Sequence, residues 1–158
     1  MKSKLVIVSV EKLQSEIVST LLSFEGIGVY VSLNKTQKGI INLLEKNKVD
    51  TKKLFFVDCV GSNKEDKKAI QVSPSKLDEL GYAINSFLQE IKGDKFLIID
   101  ALSTLMIYNN ENQVAAFVRK ITKYASNNEI ELIAFSPKTK GEEFLNKIFN
   151  FFDEVVGK

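Results

Sequence analysis

Short apolar runs alternate with amphipathic helical patterns along the whole chain. Between the runs, apolar residues recur at the spacing of one helix face. Strands in a sheet that helices cover on both sides are apolar on both faces, as these runs are. The alternation therefore predicts an α/β fold of three layers, doubly wound around a mostly parallel sheet. The predicted strands are 5–10, 28–33, 52–58, 95–100, 130–135 and 152–156.

Particular residue types are predicted to begin or end the helices. Short polar side chains accept hydrogen bonds from the first free N–H groups of a helix, and glycine past its end permits a left-handed backbone. The polar stretch 61–68 lacks periodicity and is predicted as a surface loop. The predicted starts are Thr36, Ser73 followed by Pro74, and Thr139 with Glu142; the predicted stops are Gly26 and Gly93.

Composition narrows the possible functions. At 158 residues, with 44% hydrophobic and 27% charged residues, residues 1–158 are predicted to form a single domain. The chain has no histidine, which excludes Ser-His triads and His metal ligands. Its one cysteine, Cys59, excludes an internal disulfide and is predicted to be a small buried side chain. Since the sequence shows neither a signal peptide nor a long apolar span, a cytoplasmic location without membrane contact is expected.

The charge distribution disfavours nucleic acid as a partner. Lys and Arg total 22 against 20 for Asp and Glu, and Arg119 is the only arginine. Base-edge readers use arginine heavily, so specific recognition is not expected. Acidic residues interrupt the lysine groups, which are predicted to be a solvated surface; weak association with phosphates is the alternative. These lysines are Lys46, Lys48, Lys52, Lys53, Lys64, Lys67 and Lys68.

The segment after the first predicted strand lacks a phosphate-binding pattern. A mononucleotide-binding protein carries G-x-x-x-x-G-K-[ST] at this position, where glycines aim N–H groups at phosphate oxygens and lysine neutralises their charge. Here residues 11–17 read Glu-Lys-Leu-Gln-Ser-Glu-Ile, and the first glycine is Gly26. An ordinary phosphate loop cannot be built from these residues.

Asp100 closes the apolar run Phe-Leu-Ile-Ile-Asp, the form of a Walker B strand whose carboxylate faces a magnesium ion. Ligands of parallel sheets bind beyond the carboxyl ends of the strands, where Asp100 is expected. The alternative is an aspartate that accepts hydrogen bonds from its own loop.

Four segments in order resemble KaiC-like ATPases of the RecA superfamily. Residues 101–108 (Ala-Leu-Ser-Thr-Leu-Met-Ile-Tyr) resemble the D-S-L-S-x-L-L-x-Y stretch after the Walker B strand of that family. Residues 28–36 resemble its G-V-Y-V-x-x-E-E-x-P strand, and 54–59 and 152–156 resemble two further strands. The resemblance covers nearly the whole chain and implies a P-loop NTPase fold with a RecA-like core.

The sequence departs from this family at the residues that carry its chemistry. The acidic pair after the second strand, which implies a general base, is replaced by Asn34 and Lys35. An amide cannot take a proton, and a lysine is normally already protonated. Asp100, Ser103 and Thr104 remain as the cofactor-binding residues that the resemblance implies, with Asp100 as the metal ligand. Since phosphoryl transfer needs positioning, metal and charge stabilisation together, ordinary hydrolysis is not expected.

The sequence therefore predicts a degenerate ATPase domain with no catalytic residues and no cofactor. Its predicted role is protein interaction or regulation, with an active ATPase relative or a second copy as partner. The alternative is an atypical nucleotide-binding protein or weak ATPase that uses Asp100 with Mg²⁺ and ATP, with Lys12 or Lys35 supplying charge.

A receiver-like signalling domain is a further alternative. Asp58 ends the third strand, where such domains are phosphorylated, and Ser136-Pro-Lys138 resembles their lysine region. An acidic pair should follow the first strand, and only Glu11 is present there. A packed or capping role for Asp58 is the simpler interpretation.

Overall fold

The computed structural model describes residues 3–61, 69–138 and 143–157. Within them, seven strands form one sheet, and six α-helices connect or flank them. The strands are β1 Ser3–Val8, β2 Ile27–Ser32, β3 Leu54–Asp58, β4 Ala69–Gln71, β5 Lys95–Asp100, β6 Glu131–Pro137 and β7 Glu154–Val156. The helices are α1 Val10–Ser23, α2 Gln37–Lys46, α3 Leu77–Glu90, α4 Leu105–Tyr108, α5 Glu111–Asn127 and α6 Glu143–Ile148.

The sheet has the order β4-β3-β2-β5-β6-β1-β7, and every neighbouring pair is parallel. This confirms the predicted doubly wound α/β fold. The sequence prediction missed β4, a three-residue edge strand beside β3. β6 lies between β1 and β5, so the ends of those two strands are about 10 Å apart.

Helices cover both faces of the sheet and form two apolar cores. α1 and α2 pack on one face, where Tyr30, Phe56, Phe96 and Phe135 are buried. α3, α5 and α6 pack on the other face. There they contact the remaining side chains of β1, β2, β5 and β6, which alternate along each strand with those on the first face. The five inner strands, β1, β2, β3, β5 and β6, are therefore apolar on both sides, which is the pattern that predicted the parallel sheet.

One predicted helix start is confirmed and one is wrong. The Thr36 hydroxyl accepts a hydrogen bond from the N–H of Gly39 (3.1 Å), as expected of an N-cap. Ser73 and Pro74 do not begin α3, which starts at Leu77. The Ser73 hydroxyl instead accepts the N–H of Ser75, and its carbonyl accepts the N–H of Lys76. Both groups hold a turn that precedes the helix, because Ser and Pro favour turns as well as helix starts.

Other boundaries shift by one to three residues. β1 spans residues 3–8, not 5–10, because Val10 already belongs to α1. β3 is shorter than predicted because residues 51–53 form a 3-10 turn that the Asp50 carboxylate caps. α3 ends at Glu90, before the predicted Gly93, which has a φ of 83°. β7 confirms the last predicted strand. Most of the 61–68 loop and the Thr139–Glu142 cap lie outside the described residues.

Two lysine side chains tie helix ends to the sheet. The Nζ of Lys53 donates to the carbonyls of Leu21 and Phe24 at the end of α1, both at 2.8 Å. The Nζ of Lys95 donates to Leu88 (2.8 Å) and Ile91 (3.1 Å) at the end of α3. A cation at this position satisfies free carbonyls and complements the helix dipole.

None of the helices in the described ranges is long and apolar enough to cross a bilayer.

Candidate functional site at the carboxyl edge of the sheet

Three polar residues end neighbouring strands and lie side by side at the carboxyl edge. Ser32 on β2 is in register with Asp58 on β3 and with Asp100 on β5. All three are buried. Residues in register on parallel strands project from the same face of the sheet, and here this is the face that α1 and α2 cover. The sequence prediction that Asp100 lies where ligands bind to parallel sheets agrees with this placement.

Asp100 is held by a tyrosine of the neighbouring strand. Its Oδ2 accepts a hydrogen bond from the Tyr30 hydroxyl at 2.7 Å. Asp100 is 4% exposed and Tyr30 is fully buried. Burial raises the pKa of Asp100, although the Tyr30 hydroxyl and Lys35 lower it in part. Burial and the neighbouring Asp100 charge together raise the pKa of Tyr30 well above its ordinary range. Tyr30 therefore acts as the hydrogen-bond donor of the pair.

The second oxygen of Asp100 is unpaired. Its Oδ1 is buried and has no hydrogen-bond partner among the described residues. A buried acceptor without a donor is unfavourable by about 1–3 kcal/mol. Lys35, an exposed residue of the β2–α2 loop, is a cation whose charge lowers the pKa of this carboxyl group. The arrangement can accept one further N–H, O–H or cation at Oδ1.

The loop after β5 connects to the loop after β2. Ser103 and Thr104 lie in the 3-10 turn Leu102–Thr104, and both are half-buried. The Thr104 hydroxyl donates to the amide oxygen of Asn34, and the Ser32 hydroxyl donates to the Lys35 carbonyl. The N–H of Leu33 also bonds to the Asp100 carbonyl at 2.8 Å. The residues predicted for nucleotide binding thus lie next to the Asn34 and Lys35 positions.

Asp58 organises the loop that follows β3. Its Oδ1 accepts the N–H groups of Val60 (2.9 Å) and Gly61 (2.8 Å), and its Oδ2 accepts that of Gln37 (3.1 Å). A Cβ at Gly61 would lie 2.6 Å from Oδ2, so glycine is required for this close approach. These contacts confirm the capping interpretation. They disfavour the receiver-like alternative, as does the separation of β3 from β1 by about 19 Å across the sheet.

The connection from β1 to α1 is a single residue, Ser9. Its side chain makes no cap hydrogen bond, and its carbonyl accepts the N–H of Lys12 at 3.0 Å. The carbonyl of Val8 accepts the N–H of Lys138, which follows β6, at 2.6 Å. The chain thus turns directly from strand into helix beside the β6 loop, and the first turn of α1 exposes Val10, Glu11 and Lys12.

Asp100 fits a metal ion only in part. No group of three or more Asp, Glu, Cys or His side chains in the described segments is placed to hold a metal. Mg²⁺ commonly takes one or two carboxylates and completes its six ligands with water and phosphate oxygens. The free Oδ1 of Asp100 could supply one ligand, and a bound nucleotide would have to contribute several others.

Solved structures resemble the fold of this chain. A KaiC-like protein of the hyperthermophilic archaeon Pyrococcus horikoshii OT3, PH0186, matches with a TM-score of 0.71. The alignment covers 98% of this chain and 69% of that protein, at 12% sequence identity. The fold is RecA/KaiC-like. A second protein of the same organism, PH0250, matches with a TM-score of 0.69 over 98% of this chain and 80% of its own, also at 12% identity.

At this identity the likeness shows the fold alone. No protein-family model and no curated protein sequence matches the chain. Sequence reasoning placed Ser103 and Thr104 near Asp100 and offered Lys12 or Lys35 as the source of positive charge; of these two lysines, Lys35 is the one whose charge acts on Asp100. It missed Tyr30 as the partner of Asp100. The signal was available, because Tyr30 lies within the predicted strand 28–33, and a buried tyrosine hydroxyl needs a polar partner.

Proposed function

We propose that this chain is a non-catalytic RecA/KaiC-like domain that serves protein interaction or regulation. The observation that carries the proposal is the single-residue connection, Ser9, between β1 and α1. A phosphate cradle needs several consecutive N–H groups from a loop that can take glycine-like conformations, and one residue with a β-region backbone supplies too few.

The surroundings of Asp100 support the same proposal. Its Oδ2 accepts a hydrogen bond from the Tyr30 hydroxyl, and burial raises the pKa of the Asp100 carboxyl group. A carboxylate that holds a metal is normally ionised and open to the ion. The Asn34 side chain accepts a hydrogen bond from the Thr104 hydroxyl, and Lys35 is the next residue after Asn34. Neither side chain is suited to activate a water molecule. The partner remains as predicted from the sequence, an active ATPase relative or a second copy of the chain.

Calorimetry with Mg-ATP and a phosphate-release assay test the proposal. We expect no binding heat at micromolar to millimolar nucleotide and no phosphate above the buffer rate. An active ATPase of the RecA superfamily serves as the positive control in the same buffer. Measurable turnover by the purified chain, abolished in Asp100→Asn, would overturn the proposal.

The second candidate is a nucleotide-binding protein that uses Asp100, Ser103 and Thr104. The observation in its favour is the buried, unpaired Oδ1 of Asp100, with Lys35 close enough to lower the pKa of that carboxyl group. Lys35 is the better of the two predicted cations, because its effect on Asp100 is identified and Lys12 lies on α1.

A thermal-shift panel of nucleotides with Mg²⁺ separates the two candidates. Nucleotide binding predicts a rise in Tm that both Asp100→Asn and Lys35→Ala reduce, whereas Lys38→Ala on α2 retains it. No shift with any nucleotide would leave the second candidate without support and agree with the first.

A further inference from the structure

A long groove runs between α3 and α5, on the opposite face of the sheet from Asp100. Its volume is about 760 Å³. On α5 its lining extends from Gln113 to Tyr124, which corresponds to about 16 Å of helix. Three turns of an α-helix match this length. The groove is therefore long enough to take a helix of another molecule.

The floor of the groove contains a glycine that the fold does not require. Gly81 lies inside α3, where glycine is less favourable than alanine by about 1 kcal/mol. It does not have a positive φ, and a Cβ built on it would meet only the Phe117 ring at 3.9 Å, an ordinary contact. A side chain here would fit the domain itself but would fill the groove. Its absence leaves room for a large side chain of another molecule.

A buried polar atom lies one helical turn further along α3. The Oδ1 of Asn85 lines the groove, is buried, and makes no hydrogen bond with any of the residues described. Leaving such an atom unpaired is unfavourable by about 1–3 kcal/mol. A donor on the occupant would relieve this cost. Gly81 and Asn85 are four residues apart, so both face the same side of α3.

The rim carries aromatic and charged groups suited to a protein partner. Tyr82 is 77% exposed, and Tyr124 on α5 is half-buried. Tyrosine is enriched at protein interfaces, where it often supplies much of the binding energy. The α3 rim carries Asp78 and Glu79, and the α5 rim carries Lys120. Lys76 approaches Glu79 at 4.0 Å, so Asp78 is the main negative charge on that side.

We propose that this α3–α5 groove binds an amphipathic helix of a partner protein. The helix would place a large apolar side chain over Gly81 and a hydrogen-bond donor near Asn85. Basic residues on one flank would face Asp78, and acidic residues on the other would face Lys120. Laying an apolar helix face into a groove between helices is a recurrent mode of recognition. The inference rests on the proposed interaction function and names its surface.

A displayed library of amphipathic helical peptides of about 14 residues, roughly 20 Å long, provides the probe. The full chain is the target, and the affinity of selected peptides is measured by fluorescence anisotropy. We expect selected sequences to share a large apolar anchor with opposite charges on its two flanks. Gly81→Leu should weaken their binding at least tenfold. Gly81→Ala, which adds only a methyl group and favours the helix, should weaken it less than threefold.

Further variants locate the binding surface. Lys120→Glu should weaken the binding of peptides that place acidic residues opposite position 120. Replacing those acidic residues of the peptide with basic ones should restore binding. Leu22→Ala on the exposed side of α1 is the control and should leave the affinity unchanged. Failure to enrich any peptide, or binding that Gly81→Leu does not alter, would overturn the inference.

Self-association is a separate outcome. Sedimentation equilibrium that shows a dimer, dissociated by Gly81→Leu, would assign the groove to a second copy and overturn the partner-helix proposal. Each of these failures leaves the nucleotide measurements unaffected, so the groove and the non-catalytic function can fail independently.

Discussion

The Tyr30 hydroxyl donates to Oδ2 of Asp100 at 2.7 Å, and both side chains are buried. The bond links the centre of β2 to the end of β5, two strands that lie next to each other in the sheet. It gives one carboxylate oxygen a partner and leaves the other, Oδ1, without one among the residues described. The pair is therefore a stability element and the most informative position for mutation at this edge.

Removing the Tyr30 hydroxyl should destabilise the domain. In Tyr30→Phe the ring still fills its place in the core, but Oδ2 of Asp100 loses its donor and becomes unpaired like Oδ1. We expect a loss of about 1–3 kcal/mol in the free energy of unfolding, measured with urea. Tyr124 on α5 is only half-buried, so Tyr124→Phe is the matched control and should change stability less. Equal effects of the two variants would contradict the importance of the Tyr30–Asp100 bond.

The stability contribution of Asp100 should depend on pH. Because the pKa of Asp100 is raised in the folded state, the fold favours the protonated carboxyl group. The folded state therefore binds the proton more tightly than the unfolded state does. The resulting contribution to stability is fully present below pH 3.8, the ordinary pKa of an aspartate, and is lost as pH rises through the pKa of the folded state. Asp100→Asn removes the titration but keeps an acceptor for Tyr30.

Urea denaturation of wild type and Asp100→Asn, each between pH 4 and pH 7, measures this contribution. The stability of the variant relative to wild type should increase as pH rises, because only the wild type loses stability as its carboxyl group ionises. A difference that stays constant, or increases toward acid, would show that burial does not govern the titration of Asp100.

Loss of the Asp58 carboxylate should open the loop after β3. Three backbone N–H groups would lose their acceptor in Asp58→Ala, and we expect a destabilisation of roughly 2–4 kcal/mol. Asp50→Ala removes an exposed cap with one N–H partner, Lys52, and should destabilise by about 0.5–1 kcal/mol. Amide hydrogen exchange should accelerate at Val60 and Gly61 in Asp58→Ala. Unchanged exchange there would show that other contacts hold the loop.

The Cys59 thiol should react slowly. Burial and the adjacent Asp58 charge raise the pKa of Cys59 to about 12. Since the thiolate is the nucleophile, alkylation by iodoacetamide at pH 8 should be roughly a thousandfold slower than for a free cysteine. The rate should rise about tenfold for each pH unit up to pH 10. Rapid labelling at neutral pH, in protein shown to be folded, would contradict this expectation.

Sequence patterns predicted the sheet because its five inner strands are apolar on both faces. β5 was predicted with the correct bounds, since Lys95 and Asp100 enclose a short apolar run. The Thr36 cap was also predictable, because a hydroxyl before a helix contacts only its own first turn. Asn110 and Gln113 form a capping box that the sequence reading overlooked, although its residue types and spacing are visible in the sequence.

What sequence patterns could not provide was the pairing between distant residues. Tyr30 and Asp100 are 70 residues apart, and only the order of strands brings them together. β4 has three residues, too few for periodicity, and it is defined by its register with β3. The start of α3 was misplaced because Ser and Pro favour turns as well as helix starts, and Ser73 and Pro74 belong to a turn before the helix. The α3–α5 groove depends on packing between two helices, which a single sequence does not reveal.

The amines of Lys53 and Lys95 have a consequence for chemical labelling. Each amine donates hydrogen bonds to two backbone carbonyls, Lys53 at the end of α1 and Lys95 at the end of α3. These hydrogen bonds must break before the amine can attack an acylating reagent. Their acetylation should therefore lag behind that of exposed lysines such as Lys38. The delay, followed by mass spectrometry, would report how often each helix end frays while the rest of the domain stays folded.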